Sequence, residues 1–460
     1  MTRTGRPPRP HVVVVGGGFA GINAAHALAH SDADVTLVDR HDYHTFQPLL
    51  YQVSTGYLPP EEVGAAFRSV FRRQANLTAR VARAVSADWT GRRLRLQDGS
   101  GLDFDYLILA AGAETNFFGI PGMTEHSWPL YTLADAVALR IHLLGTLEQV
   151  AATQPSAGAK ITAVVVGGGP TGVETAAALA SMAHEVAGPA ATLRVILVEA
   201  GPRLLAAFSA HSSQRAFQDL RRRGVDVRLG QNVEAADPGG VTLGGGERIQ
   251  AGTVIWAAGV QANRLGHTLG LPLSHGRVTV DPHLQVAGYP NVFVAGDLAA
   301  VAAPQPGALL PMLAPVAIQA GRHAGEQVAR LIARKPLARF RYHDKGMMAV
   351  LGRGDAVAEL PLPPGAGHSS RYRLRFSGLP AWLLWAGVHI AYLICFSNRI
   401  KVLVDWGWNY CTSRGAGAIL VRRPDEELPP LAPEHAGTRT DPASPGHAGT
   451  GGTDRLPEGG

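Results

Sequence analysis

The chain has 460 residues, of which 46% are hydrophobic and 17% charged, and a formal net charge of +6. That length allows two or three domains with full cores, and a mean hydropathy of +0.05 excludes a multi-span transporter while sitting high for an enzyme that never meets lipid. The basic surplus suits an anionic lipid surface, a nucleic acid or a negatively charged cofactor.

The opening MTRTGRPPRP lacks the apolar run of a secretory signal, so the bulk of the chain is expected in a reducing compartment. Next comes HVVVVGGGFAGINAAHALAH (11–30), a β-branched run, a glycine cluster and an Ala-rich helix. The following apolar strand, VTLVDR, stops on Asp39. Gly16, Gly18 and Gly21 thus form a GxGxxG between strand and helix. The first makes the tight turn, the second admits a pyrophosphate, and the third lets the helix pack closely. Asp39 is placed to accept hydrogen bonds from a ribose diol.

The same plan recurs at ITAVVVGGGPTGVETAAALA (161–180), with Gly167, Gly169 and Gly172, followed by LRVILVEA ending on Glu199. Each unit has a later partner strand, YLILAAGAE (106–114) with Gly112 and TVIWAAGVQAN (253–263) with Gly259. Whole nucleotide-binding units therefore repeat, which predicts an α/β protein with two Rossmann-like dinucleotide-binding domains and two bound nucleotides. A carboxylate at Glu199 repels a 2′-phosphate and favours NADH over NADPH, a preference that Arg203 nearby would weaken.

The run GRVTVDPHLQVAGYPNVFVAGD (276–297) reads as the chain returning to the first domain, and its closing Gly296-Asp297 suits the ribityl and phosphate portion of a flavin. One site is expected for FAD and one for NADH. The boundaries that follow are 10–122 with 276–335 for the FAD-binding domain and 123–275 for the NADH-binding domain. A strand segment with helices is expected over 336–422, and a disordered tail, poor in large apolar residues, over 423–460.

In this order, GGGFAG, YHTFQPLLYQVSTG (43–56), NFFGIPG (116–122), GGGPTGVE (167–174), FVAGD and HDKGMMAVLGR resemble the type II NADH:quinone oxidoreductases, single-chain flavoproteins of respiratory membranes. The resemblance covers roughly residues 10 to 422. It implies a fold like the two-dinucleotide disulfide reductases with a C-terminal membrane-binding region. The implied chemistry is hydride transfer from NADH to FAD, then electrons to a menaquinone- or ubiquinone-type acceptor without proton pumping. It also implies a peripheral, monotopic place on the cytoplasmic face of a bacterial membrane, leaves a homodimer open, and calls for neither metal nor nucleic acid.

Three side chains match positions to which that family assigns function. Glu174 would lie near the flavin and aid nicotinamide binding or proton delivery, although an acid in the first turn is also favoured by the helix dipole alone. Gln319 matches the second glutamine of an AQxAxQ quinone motif whose first is replaced here by Pro315. Lys345, in HDKG, would lie near the flavin and the quinone channel, though HDKG is also ordinary turn chemistry. The loop with Phe46, Gln47 and Pro48 would pass close to the flavin.

Leu379–Phe396 is an 18-residue stretch without formal charge, about 27 Å as a helix and barely a span. Pro380, Gly387 and His389 weaken a span. The next segment carries an apolar stripe at Ile400, Leu403, Val404, Trp408 and Cys411, with Val402, Trp406 and Tyr410 as a flanking strip expected at headgroup level. Arg371, Arg373, Arg375, Arg399, Lys401 and Arg414 bracket the pair and would attract anionic lipid. A helical pair lying in one leaflet is the expectation. Cys395 and Cys411 fall within it, so no redox cysteine pair beside a flavin is available to a disulfide or sulfide reductase. The alternatives are an NADH-binding, redox-sensing flavoprotein with slow turnover, from another class, and an NAD(P)H reductase using another acceptor.

Overall fold

The computed structural model describes residues 9–153, 159–185, 191–362 and 373–412. In the first glycine-rich unit, strand His11–Val15 is flanked in parallel by Asp34–Asp39 on one side and Tyr106–Leu109 on the other. Leu77–Val81 extends one edge and Tyr289–Val294 the other, both in parallel register, before the antiparallel Gln285–Val286 closes the six-stranded sheet. Val12, Val13 and Val14 are wholly buried, as expected of a parallel strand covered on both faces. The return of the chain to its first sheet is therefore made by Tyr289–Val294.

The second unit repeats the arrangement. Ala159–Val166 lies between Ala191–Glu199 and Thr253–Trp256, with Asp226–Leu229 and Trp128–Pro129 at the edges, all parallel. In both sheets the glycine-rich turn leaves the central strand where neighbouring connections diverge to opposite sides, the crevice in which such sheets take ligands.

Helix Ala314–Ile332 crosses the first nucleotide helix, Phe19–Ala27, at backbone contact. A Cβ on Gly321 would lie 2.0 Å from the Ala20 carbonyl oxygen, and one on Gly325 2.4 Å from that of Ala24. Only glycine permits this approach.

Toward the C-terminus an antiparallel sheet of Met347–Gly352, Asp355–Pro361 and Arg373–Ser377 packs on the second nucleotide helix, Pro170–Glu185. Residues 335–346 form no strand, so the expected strand-rich segment begins later than its alternating text suggests.

The charge-free stretch near the C-terminus is not one helix. Helix Leu379–Tyr392 stops where Leu393 turns extended, Cys395 takes a φ of 75°, and a second helix runs Phe396–Thr412. No helix among the described residues is long and apolar enough to cross a membrane. The apolar stripe is exposed: Ile400 45%, Leu403 52%, Val404 61% and Trp408 65%. The expected headgroup strip is corrected, because Val402 and Trp406 are buried against the protein. Asn398 also faces inward, donating to the carbonyl oxygens of Glu61, Glu62 and Gly64. The helix thus has two apolar faces, one packed and one open, and a periodicity argument alone does not rank them. Arg371, Arg414, the side chains of Tyr410 and Cys411, and the proposed tail lie outside the described residues.

Candidate active site

A cleft of about 680 Å³ opens at the carboxyl end of the first sheet. Gly16, Gly18, Asp39, Gly112, Gly296 and Asp297, taken from four separate segments, all line it. Gly16 has a φ of 103°, and the third glycine of the turn, Gly21, would put a Cβ 1.7 Å from the Gly16 carbonyl oxygen. A Cβ on Gly18 would meet nothing within 4 Å. Gly21 therefore closes the turn while Gly18 faces the open cleft. The helix that follows has no side-chain N-cap and no acid in its first turn, so its first N–H groups and the positive end of its dipole are left for an anion.

Asp39 fixes the floor. One carboxylate oxygen accepts from the Gly17 N–H at 2.6 Å and the other from the His41 N–H at 2.8 Å, leaving lone pairs for a diol. His44, which sequence reasoning did not single out, is buried with Nδ1 3.0 Å from the Gly17 carbonyl oxygen. Burial pushes its pKa down to about 4, so the ring is neutral at pH 7 and donates from Nδ1. Its only sequence trace is its place in YHTFQP.

Asp297 sits where burial lifts its carboxyl to about 6, a rise opposed by the Arg277 guanidinium. Such a group suits the neutral hydroxyls of a ribityl chain better than a phosphate, which refines the expected contact. These features fit FAD: an uncapped helix for the pyrophosphate, a carboxylate for the ribose diol, and a second carboxyl for the polyol.

The second turn is built alike. Gly167 has a φ of 109°, Gly172 would meet the Gly167 carbonyl oxygen at 1.8 Å, and Gly169 is open. Glu199 accepts from the Gly168 and Gly201 N–H groups, each at 2.6 Å. Arg203 donates to the carbonyl oxygens of Phe208 and Ala206 at 2.9 and 2.6 Å. These bonds hold the guanidinium to its own loop. Gly259 packs under Phe118, whose ring a Cβ there would meet at 2.5 Å.

A smaller cavity of about 100 Å³ lies between the second nucleotide helix, the C-terminal sheet and the helical pair. Glu174, Ala177, Ala178 and Ser181 line it from one helix face, and Trp382, Trp385 and Trp406 from the C-terminal helices. Glu174 is the fifth residue of its helix rather than a first-turn acid. Burial lifts its carboxyl to about 8, opposed only by the hydrogen bond it accepts from the Val350 N–H at 3.0 Å. It is therefore mostly protonated at pH 7, and the helix dipole does not account for it.

The two chambers are joined by one short segment. Gln47 lines the dinucleotide cleft and Tyr51 and Gln52 line the aromatic cavity. Phe46 and Pro48 fall within the same segment, where Phe46 meets Phe19 and His389 edge-on at 5.7 and 6.0 Å.

Gln319 and Lys345 are not brought to Glu174. The Gln319 amide donates to the carbonyl oxygens of Pro315 and His343 and accepts from the His343 N–H, which pins the loop leading to Lys345. Lys345 itself is exposed and lines neither chamber.

Two dinucleotide-binding frames sharing one cleft-bearing scaffold define the pyridine nucleotide-disulphide oxidoreductase class, and the profile of that family matches residues 10–321. Within it, the chain is 37% identical over 435 residues to the type II NADH:quinone oxidoreductase Ndh of Mycobacterium tuberculosis, covering 89% of this chain and 90% of that one. It is 36% identical over 440 residues to NdhA of the same organism, with 89% of each covered, and 27% identical over 396 residues to the Staphylococcus aureus enzyme, covering 84% and 98%. The chain belongs to the type II NADH:quinone oxidoreductases. Its fold matches NDH2 from Plasmodium falciparum, solved in complex with NADH, at a TM-score of 0.76 and 19% identity over 90% of this chain and all of that one.

Proposed function

We propose that this chain carries out the family reaction by holding FAD in the first cleft and NADH on the second turn, and by receiving a membrane quinone in the aromatic cavity. FAD held in the first cleft would supply the redox chemistry between the nicotinamide and the quinone. The chain's part is positioning. Gly16, Gly18, Gly21, Asp39, Gly112, Gly296 and Asp297 seat the flavin nucleotide, and Gly167, Gly169, Gly172, Glu199 and Gly259 seat NADH.

The observation that carries the quinone assignment is the buried carboxyl of Glu174, which burial lifts to about 8, on the wall of a cavity shared with three tryptophans. Aromatic faces suit a planar ring, and a neutral acid at its edge donates a hydrogen bond to a carbonyl oxygen and holds a proton for the quinol. The cavity's walls are the inward faces of the two helices whose outward faces expose Leu379, Leu383, Phe396, Ile400, Leu403, Val404 and Trp408. Contiguous exposure of that kind marks a membrane contact. Arg375 and Lys401 are exposed beside it, which supports anionic lipid on the cytoplasmic face of the membrane as the docking surface. Gln319 and Lys345 act by shaping the loop at 343–346 rather than by touching the ring.

The experiment is anaerobic titration of the purified, FAD-loaded protein. NADH should bleach the flavin absorption, and a naphthoquinone should restore it within the turnover time. A reduced flavin that persists in excess quinone would overturn the enzyme reading in favour of a sensor. Unchanged reoxidation in Glu174→Gln would overturn the role given to Glu174.

A further inference from the structure

Gln52 is buried in the cavity wall beside helix Phe396–Thr412, with its amide engaged at both ends. The Trp406 indole N–H donates to Gln52 Oε1 at 2.8 Å, and Gln52 Nε2 donates to the Tyr51 hydroxyl oxygen at 2.9 Å. An indole nitrogen only donates, so the amide has one permitted orientation: oxygen toward Trp406, NH₂ toward Tyr51. The Tyr51 oxygen must then accept from Gln52, which leaves its own hydrogen to point elsewhere. Tyr51 is itself buried, at 5% exposure, and lines the same cavity as Glu174.

We propose that Gln52 is a positioning residue for quinone reduction: it fixes the Tyr51 hydroxyl as a hydrogen-bond donor into the cavity, at a carbonyl oxygen of the bound quinone. The direction of that donor is set from helix Phe396–Thr412, through Trp406. A donor already aimed at an oxygen that gains charge as electrons arrive needs no reorganisation at that moment. This rests on the cavity being the quinone site, as proposed above.

The test uses the FAD-loaded protein with a short-chain naphthoquinone, and with ferricyanide as an acceptor that needs no hydrogen bond. Tyr51→Phe should lower kcat with the naphthoquinone about ten- to hundredfold, while flavin bleaching by NADH and ferricyanide reduction stay unchanged. Gln52→Glu should approach wild-type turnover at low pH, where a neutral acid still donates to Tyr51. It should then lose turnover along an added descending limb as its carboxyl ionises and draws the Tyr51 hydrogen toward itself. Adding Tyr51→Phe should abolish that limb, because there is no hydroxyl left to redirect.

Wild-type naphthoquinone turnover in Tyr51→Phe, or a Gln52→Glu profile parallel to wild type, overturns the proposal. So does a matching loss of ferricyanide reduction, which would mark a structural defect. If Gln52→Glu does not take up FAD, Tyr51→Phe and Trp406→Phe decide the matter, the latter expected to lower naphthoquinone turnover several-fold by freeing the amide. Ser181→Leu separates the two claims through quenching of tryptophan fluorescence by the quinone. Unchanged quenching means the cavity is not the quinone site. Weakened quenching with silent Tyr51 and Gln52 variants sinks only the present inference.

Discussion

Replacing Glu174 by glutamine should change how stability depends on pH. Burial lifts this carboxyl from the usual 4.5 to about 8. Between those values the folded chain holds a proton that the unfolded chain releases, so stability falls as pH rises. The contribution is fully present below about pH 4.5 and is lost by the time pH passes 8. At ~1.4 kcal/mol per pH unit the whole interval corresponds to at most about 5 kcal/mol. Water entry into a cavity already about 100 Å³ in volume lowers this to about 2–3 kcal/mol. Glutamine keeps an acceptor for the Val350 N–H and cannot ionise. Urea unfolding at pH 5, 7 and 9 with FAD saturating should therefore show wild type losing about 2–3 kcal/mol more than the variant across that range. Glu62, which burial and Asp405 raise to about 7, titrates in both proteins and cancels in the comparison. Parallel pH profiles would refute the assignment of a buried, protonated acid.

Replacing Glu199 by glutamine should narrow the gap in kcat/KM between NADH and NADPH by about tenfold or more, read from initial rates with each nucleotide. An unchanged ratio counts against its ribose role. Gly21→Ala, whose Cβ would strike the Gly16 carbonyl oxygen, should prevent stable folding. Gly18→Ala, whose Cβ meets only open cleft, should fold with weakened flavin retention, and circular dichroism with flavin content separates the two. Phe396, Leu403, Val404 and Trp408 changed together to serine should abolish sedimentation with anionic vesicles while ferricyanide reduction persists. Continued sedimentation would misplace the lipid face.

Both glycine-rich turns were readable from the chain because the chemistry is local. A GxGxxG between a strand and a helix, followed by an acid at the next strand's end, leaves little freedom, and Asp39 and Glu199 each close their turn as the motif requires. The proposed quinone side was less legible, since its cavity is assembled from segments far apart in sequence. Gln52 and Trp406 are separated by 354 positions, and nothing in the string that holds the one or the helical strip that holds the other pairs them. Helical spacing identified Leu403, Val404 and Trp408 as one apolar face but placed Val402 and Trp406 in the headgroup layer, because periodicity does not say which of two apolar faces meets protein. Glu174 was found in the text, yet its protonation follows from burial under helices that arrive some two hundred residues later.

The inward face of helix Phe396–Thr412 has a consequence for how this enzyme can change. On the assignment proposed above, Trp406 and Trp385 wall the quinone cavity and also belong to the anchor, which makes the anchor no detachable module. Swapping it for a lipid tail or a foreign helix would leave the chamber open to water on that side, however well the hybrid clung to the bilayer. Adaptation to a new membrane must proceed on the outward residues alone.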